Sequence, residues 1–399
     1  MQNEFPYLFV EINNFHYSFF AGKYDENQNF IIIERLIVPS AGLEKNKLIN
    51  LNEASEIIKK NVETIEDKIN YVFKDFTLIL DCFDYSCINI SGFKKLNGSQ
   101  ILKENISYIL NSLKLAVTEN EKKKNILHIF NSKSILDGNN LENLPIGLFG
   151  DFYNHELTFF LIGNNDLKNI KQLFSKINLS VKKILLKRFI EGTQLIKQYN
   201  GVDTFFNIKI GKDNSHIIYF DKSSFRYSEN FNFGTSIIFR DIAKICLINH
   251  ETIENFLLNN GLESENLKDD ECIEEKYFTN INYRKIKKKL VVEIAKARID
   301  EITNIVLNKN INIQSFNKNN CKIYVFIQDK LIRKNFEKAF RTGFSCIGEL
   351  EYKFIEDFEI STLILNAADL SIYGWKKEAI PIIQTKKSFI TWVFKSLFG

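Results

Sequence analysis

The sequence predicts an α/β protein of two similar lobes, the first carrying an inserted α+β subdomain and the second followed by an amphipathic C-terminal helix. Three observations predict it. A strand-rich hydrophobic pattern at the start of the chain restarts near residue 205; a block of strands with one helix interrupts the first repeat; and the last residues are apolar around most of a helix.

The first strand candidates are 7–12, 17–21 and 30–38. Ile58, Val62, Ile65, Ile69 and Val72 then share one helix face, with Asn52 as the N-cap. The unbroken apolar run 76–80 reads as a strand buried on both faces. At 205 the pattern returns: FFNIKIGKDNSHIIYFDKS alternates, turns at Gly211-Lys212-Asp213-Asn214 and alternates again, as a β-hairpin does. Two strand–strand–strand–helix units facing each other form the lobes of an actin-like fold.

The interrupting block contains strand candidates 87–92, 126–130 and 157–162. Between the first two lies a helix at 101–117 carrying Ile106, Ile109, Leu110 and Leu113. A helix on Leu167, Ile170, Leu173, Phe174 and Ile177 rejoins the first lobe. The expected plan is therefore 1–83 and 164–200 for the first lobe, 84–163 for the insertion, 201–371 for the second lobe, 372–387 for a linker and 388–399 for the terminal helix.

Composition excludes several classes. The net charge is +4, from 53 basic and 49 acidic residues, and lysine is scattered rather than gathered on one face, so no nucleic-acid partner is expected. The six cysteines (82, 87, 246, 272, 321, 346) form no CxxC and the five histidines no HExxH, so no metal site is legible. The opening MQNEFPYLFV has no secretory-leader pattern, and reduced thiols in the cytoplasm are the expectation.

The segment ILHIFNSKSILDGNNLENLPIGLFGDFYNHELTFFLI (126–162) resembles the signature of the FtsA family of bacterial cell-division proteins. There an "lHv" strand leads to "D-G…n-P-i-G-m-x-G" and a strand of the inserted 1C (SHS2-type) subdomain. The matching positions are His128, Asp137, Gly138, Pro145, Ile146, Gly147 and Gly150. In the same order, SAGLEKNKLINLNEASEIIKKNV, RDIAKICLINHETIENFLLNNG and VVEIAKARIDEI are similar to further family stretches. The resemblance implies an actin-like fold with a 1C insertion. It also implies an adaptor on the cytoplasmic face of the cell membrane at the division septum. Such an adaptor self-associates into filaments, binds the C-terminal peptide of FtsZ and recruits later divisome proteins through 1C.

The tail KKSFITWVFKSLFG, placed on a helix, puts Phe389, Ile390, Trp392, Val393, Phe394, Leu397 and Phe398 in a broad apolar sector, with Lys395 on the remaining strip. Too short to span a bilayer, such a segment lies in its interface, with Trp at headgroup depth and lysine reaching anionic lipid. FtsA-family proteins end in a membrane-targeting helix of this kind.

The same resemblance locates a nucleotide cleft for ATP and Mg²⁺ and shows its chemistry altered. The first phosphate hairpin, "D-I-G-[ST]" in the family, reads Glu11-Ile12-Asn13-Asn14; the second, "D-I-G-G-G-T", reads Lys209-Ile210-Gly211-Lys212-Asp213-Asn214. Glycine is lost where backbone amides must approach phosphate, and Lys209 puts a cation where the family orients the metal. Gly234 remains before the helix of Asp241, Phe239 falls near a threonine, Glu254 keeps its acid while Leu257 replaces a lysine, and Gln328-Asp329 stand for "T-G-G". Hydrolysis is not expected, and no confident cofactor follows. Glu293, Arg298 and Glu301 fall where the family contacts FtsZ and neighbouring subunits. Two other readings stand beside this one: a PilM-like adaptor of type IV pilus assembly, which has a related fold, and an actin-fold ATPase, which the broken loops oppose.

Overall fold

A computed structural model describes residues 5–260, 270–279, 281–314, 316, 321–344 and 351–381. The chain opens as an antiparallel meander of β1 (Tyr7–Ile12), β2 (His16–Tyr24) and β3 (Phe30–Pro39). A small hairpin, β4 (Leu43–Glu44) with β5 (Lys47–Leu48), leads into α1 (Leu51–Ile69). Asn50 rather than Asn52 caps α1, its side-chain oxygen accepting the Glu53 amide at 3.2 Å. Val72, expected on the apolar face, lies past the end of the helix and is exposed. β6 (Asp75–Leu80) then runs parallel to β1, its apolar run buried as its composition requires.

The next stretch builds a sheet of its own. It comprises β7 (Tyr85–Lys95), α2 (Lys103–Asn120), β8 (Lys124–Leu136), β9 (Asn139–Leu141) and β10 (Phe152–Gly163). β10 lies between β7 and β8, antiparallel to both. The apolar face of α2, with Ile106, Ile109, Leu113 and Val117, covers Leu157, Phe159 and Leu161. Gly92 lets the helix approach: a Cβ there would meet Ile109 at 2.7 Å. α3 (Asn164–Ser175) leads back to β11 (Ser180–Leu186), which pairs parallel with β6, and α4 (Lys187–Gln198) follows. The first sheet thus has the order β3-β2-β1-β6-β11.

The second half repeats the plan. β12 (Phe205–Ile210), β13 (Ser215–Asp221) and β14 (Ser224–Phe231) precede α5 (Ser236–Cys246), α6 (His250–Asn260) and α7 (Lys288–Thr303). β15 (Lys322–Ile327), α8 (Lys330–Phe344) and β16 (Glu351–Phe354) complete a sheet of order β14-β13-β12-β15-β16, with β15 parallel to both neighbours. Numbered within its own half, each sheet reads third, second, first, fourth, fifth. Two independent sheets with this connectivity are the architectural statement of the repeat seen in the sequence.

The chain finishes with α9 (Ile360–Tyr373) and β17 (Glu378–Pro381). It divides into two compact units, one of 5–203, 220–227 and 358–381, the other of 204–219 and 228–357. This corrects two boundaries. The second lobe, expected to run to 371, ends at 357, because α9 buries Leu363, Ile364, Ala367 and Leu370 in the first unit and its Asn366 amide donates to the Ile190 carbonyl at 2.9 Å. The expected linker is also partly strand: β17 pairs with the β8 edge of the inserted sheet.

A cluster of rings fastens the inserted sheet within the first unit. Phe225 stacks on Phe160 with centroids 4.2 Å apart and lies 5.8 Å from Phe130 and 5.0 Å from Phe220. Beside it, Arg226 is 2% exposed and paired with Glu156 of β10, while Asn89 of β7 donates to the Arg226 carbonyl.

Candidate functional site

The carboxyl ends of parallel strands are where open α/β sheets bind ligands. In the first unit this edge gathers Glu11 near the end of β1, Asp81 just past β6 and Lys187 just past β11. The Lys187 ammonium donates to Glu11 Oε1 and to Asp81 Oδ2, each at 2.8 Å. Glu11 is 1% exposed. Burial alone would lower the pKa of Lys187, but the carboxylates of Asp81, Glu11 and Glu191 hold it well above the ordinary lysine value. A divalent cation between Glu11 and Asp81 would have to share that space with a fixed ammonium; the residues present do not fit it.

The hairpin between β1 and β2 is closed by its own side chains. Asn13 Oδ1 accepts the amides of Phe15 and His16 at 2.8 and 2.9 Å, and the Asn13 amide donates to Glu11 Oε1 at 3.3 Å. Asn14 and Asn46 bond reciprocally, Asn14 Nδ2 to Asn46 Oδ1 and the Asn46 amide to Asn14 Oδ1. Amides that would face phosphate in a nucleotide-binding hairpin therefore serve an Asx turn. His16, beside Glu11 at 3.8 Å, has its pKa lowered by burial against the pull of that carboxylate.

In the second unit the hairpin between β12 and β13 is closed by backbone. Gly211 N–H donates to the Asn214 carbonyl at 3.0 Å, and the amides of Thr235 and Ser236, at the start of α5, donate to the carbonyls of Gly211 and Lys212, both at 2.9 Å. Gly234 makes this approach possible: a Cβ there would lie 2.2 Å from the Gly211 oxygen and 2.5 Å from that of Lys212. Gly211 is as tightly placed: a Cβ there would lie 2.4 Å from the Asn214 oxygen. Lys209 turns to Asp357, 3.0 Å away, with its ammonium over the Phe326 ring. Neither hairpin offers the open cradle of amides and glycines that a triphosphate requires.

The remaining expected cleft residues have local roles. Asp329 Oδ1 accepts the Leu331 and Ile332 amides at the start of α8, and the Gln328 amide donates to the Ile210 carbonyl. Glu254 is half-exposed and lies 3.4 Å from His250, while Leu257 and Phe239 are core residues.

Among the proposed partner residues, Arg298 of α7 bonds Asp241 of α5 and Glu301, which fixes its guanidinium across the two helices. Glu293 lines a neighbouring groove of about 670 Å³ with Arg284, Lys285, Lys287 and Lys289, over Ile245 and Leu290. This basic, partly apolar groove suits a peptide carrying acidic and apolar side chains. The residues of the expected membrane helix, Phe389 to Phe398, lie outside the described residues. Among the described residues no helix is long and apolar enough to cross a membrane, and no cluster of His, Cys, Asp or Glu is arranged to hold a metal.

Sequence reasoning missed Asp81, Lys187 and Asp357, and named Asp241 only as a landmark of its helix. The signal for the first two was available: each is the first charged residue after an apolar strand run, FTLIL before Asp81 and ILL before Lys187.

No family model matches the chain, and a comparison with curated proteins finds no match. Solved structures do resemble it. A PilM–PilN type IV pilus biogenesis complex is 8% identical over 93% of this chain and 97% of that one, with a TM-score of 0.52. MreB5 of Spiroplasma citri bound to ADP is 10% identical over 92% and 96%, with a TM-score of 0.45. The ethanolamine utilization protein EutJ from Carboxydothermus hydrogenoformans is 9% identical over 94% and 91%, with a TM-score of 0.44. At such identities likeness speaks for fold alone, and with the duplicated strand order it gives one conclusion: the chain has an actin-like α/β fold.

Proposed function

We propose that this chain is a non-enzymatic adaptor of the actin-like fold that tethers FtsZ filaments to the inner face of the cell membrane at the septum and recruits later division proteins. The observation that carries the non-enzymatic part is Lys187, an internal cation held between Glu11 and Asp81 where a catalytic site would need metal and ordered water. The self-closed hairpins support the same reading, because a scaffold needs their rigidity and not their amides. The FtsA-like motifs and the apolar tail supply the division and membrane parts. The basic groove of Arg284, Lys285, Lys287 and Lys289 is the surface we assign to the FtsZ C-terminal peptide.

A second reading, a PilM-like adaptor for the cytoplasmic tail of a membrane partner, is favoured by the structural likeness to PilM in its complex with PilN. Calorimetry with an FtsZ C-terminal peptide separates the two. Saturable heat supports the division adaptor, and silence favours the pilus-type one. Sedimentation with anionic liposomes tests the tether: the wild-type chain pellets and Trp392→Glu stays in the supernatant, whereas equal behaviour of both removes the membrane role. Tight saturable binding of a fluorescent ATP analogue would overturn the reading of the hairpins.

A further inference from the structure

In the first unit a short segment crosses from α9 to the edge of the inserted sheet, and its construction is that of a catch. It begins at Gly374, which ends α9 at φ +71° and has nothing within 4 Å of where a Cβ would stand, so the backbone there is unobstructed. Trp375 follows, its indole N–H donating to the Ser223 carbonyl at 2.7 Å and its ring edge-on to Phe189. Main-chain pairing holds the rest, together with a bond from the Lys377 ammonium to the Glu142 carbonyl. The Asn131 amide donates to the Lys377 carbonyl at 2.7 Å, and β17 pairs with β8 through Glu378, Ile380 and Pro381 with an irregularity after Glu378.

The deepest polar contact is between side chains. Glu378 Oε1 lies 2.6 Å from His128 Nδ1, the two side chains being 2% and 0% exposed. The other two polar atoms, Glu378 Oε2 and His128 Nε2, make no hydrogen bond among the described residues. A buried pair that is only half satisfied holds less firmly than a completed network, and water meets its unmet capacity once the segment lifts.

We propose that residues 374–381 are a releasable strap, hinged at Gly374 and latched by the Glu378–His128 pair, which opens as one unit and uncovers the β8 edge of the inserted sheet. The strap does not depend on the function proposed above.

Hydrogen exchange on the full chain tests it. In Glu378→Ala the amides of Asn131 and of residues 375–380 exchange at least about tenfold faster than in wild type, while β8 amides bonded to β10 keep their protection. Glu378→Gln, whose amide oxygen still accepts from the imidazole, gives the same pattern at smaller amplitude and serves if the alanine variant folds poorly. Unchanged exchange at Asn131 would overturn the latch. Acceleration through the whole inserted sheet would overturn the strap as a separate unit.

Discussion

The ammonium of Lys187 stands 2.8 Å from the carboxylate of Glu11, and Asp81 receives it at the same distance. The pairing joins the carboxyl ends of three parallel strands through charge. It supplies the counter-charge for an acid in β1 that is 1% exposed.

Removing that ammonium leaves two carboxylates in a largely buried site. Lys187→Met therefore lowers stability by about 3–5 kcal/mol, the usual cost of stranding a buried charge. Urea unfolding measures it. Adding Glu11→Gln recovers part of the loss, because one of the stranded charges is then gone.

The hairpin between β12 and β13 depends on a missing side chain. Gly234→Ala drives a methyl against the Gly211 and Lys212 oxygens, which as backbone atoms cannot swing aside. The expected loss is about 1–3 kcal/mol, as for other overpacked sites, and appears as a lowered Tm.

His155 gives a pH dependence. It is buried, and burial, with the nearby Lys377 charge, lowers its pKa to about 4. The unfolded chain takes up a proton near pH 6.5 that the folded chain refuses until about pH 4. Stability from this group is therefore full above pH 6.5 and falls as pH drops through that window, by about 3 kcal/mol in all. His155→Leu removes this component, so the difference in unfolding free energy between variant and wild type changes between pH 7 and pH 4.5.

The groove on α5 and α7 is electrostatic in design. Lys287→Glu with Lys289→Glu lowers affinity for an acidic peptide about tenfold or more at low salt, and the gap narrows as salt screens the exposed charges. Fluorescence anisotropy at two ionic strengths checks both statements.

Much of the fold was legible because periodicity reports burial. The run Phe76–Leu80 sits inside β6, and the hairpin beginning FFNIKI falls on β12 and β13. Helix ends were less legible. Asn50 and Asn52 are chemically equal caps, and only the bond to the Glu53 amide distinguishes them. The side-chain partners were hidden for a different reason. Lys187 and Glu11 are separated by 176 positions, and parallel pairing brings them together only after β1, β6 and β11 are aligned. The loss of glycine in the hairpins could be read in sequence. That Asn13 closes an Asx turn and Lys187 serves as the counter-ion of Glu11 and Asp81 required coordinates.

The return of residues 358–381 to the first unit has a bearing on how the protein is made. A ribosome delivers 5–203 early, but α9 and β17, which cover that unit, emerge only after all of 204–357. The second unit, continuous apart from 220–227, has its full sequence first and can fold while the earlier unit still waits with apolar surface uncovered. The half synthesised first is the half completed last, and during that interval its exposed edge of β8 and the bare faces of α4 and β3 are what a nascent-chain chaperone would meet.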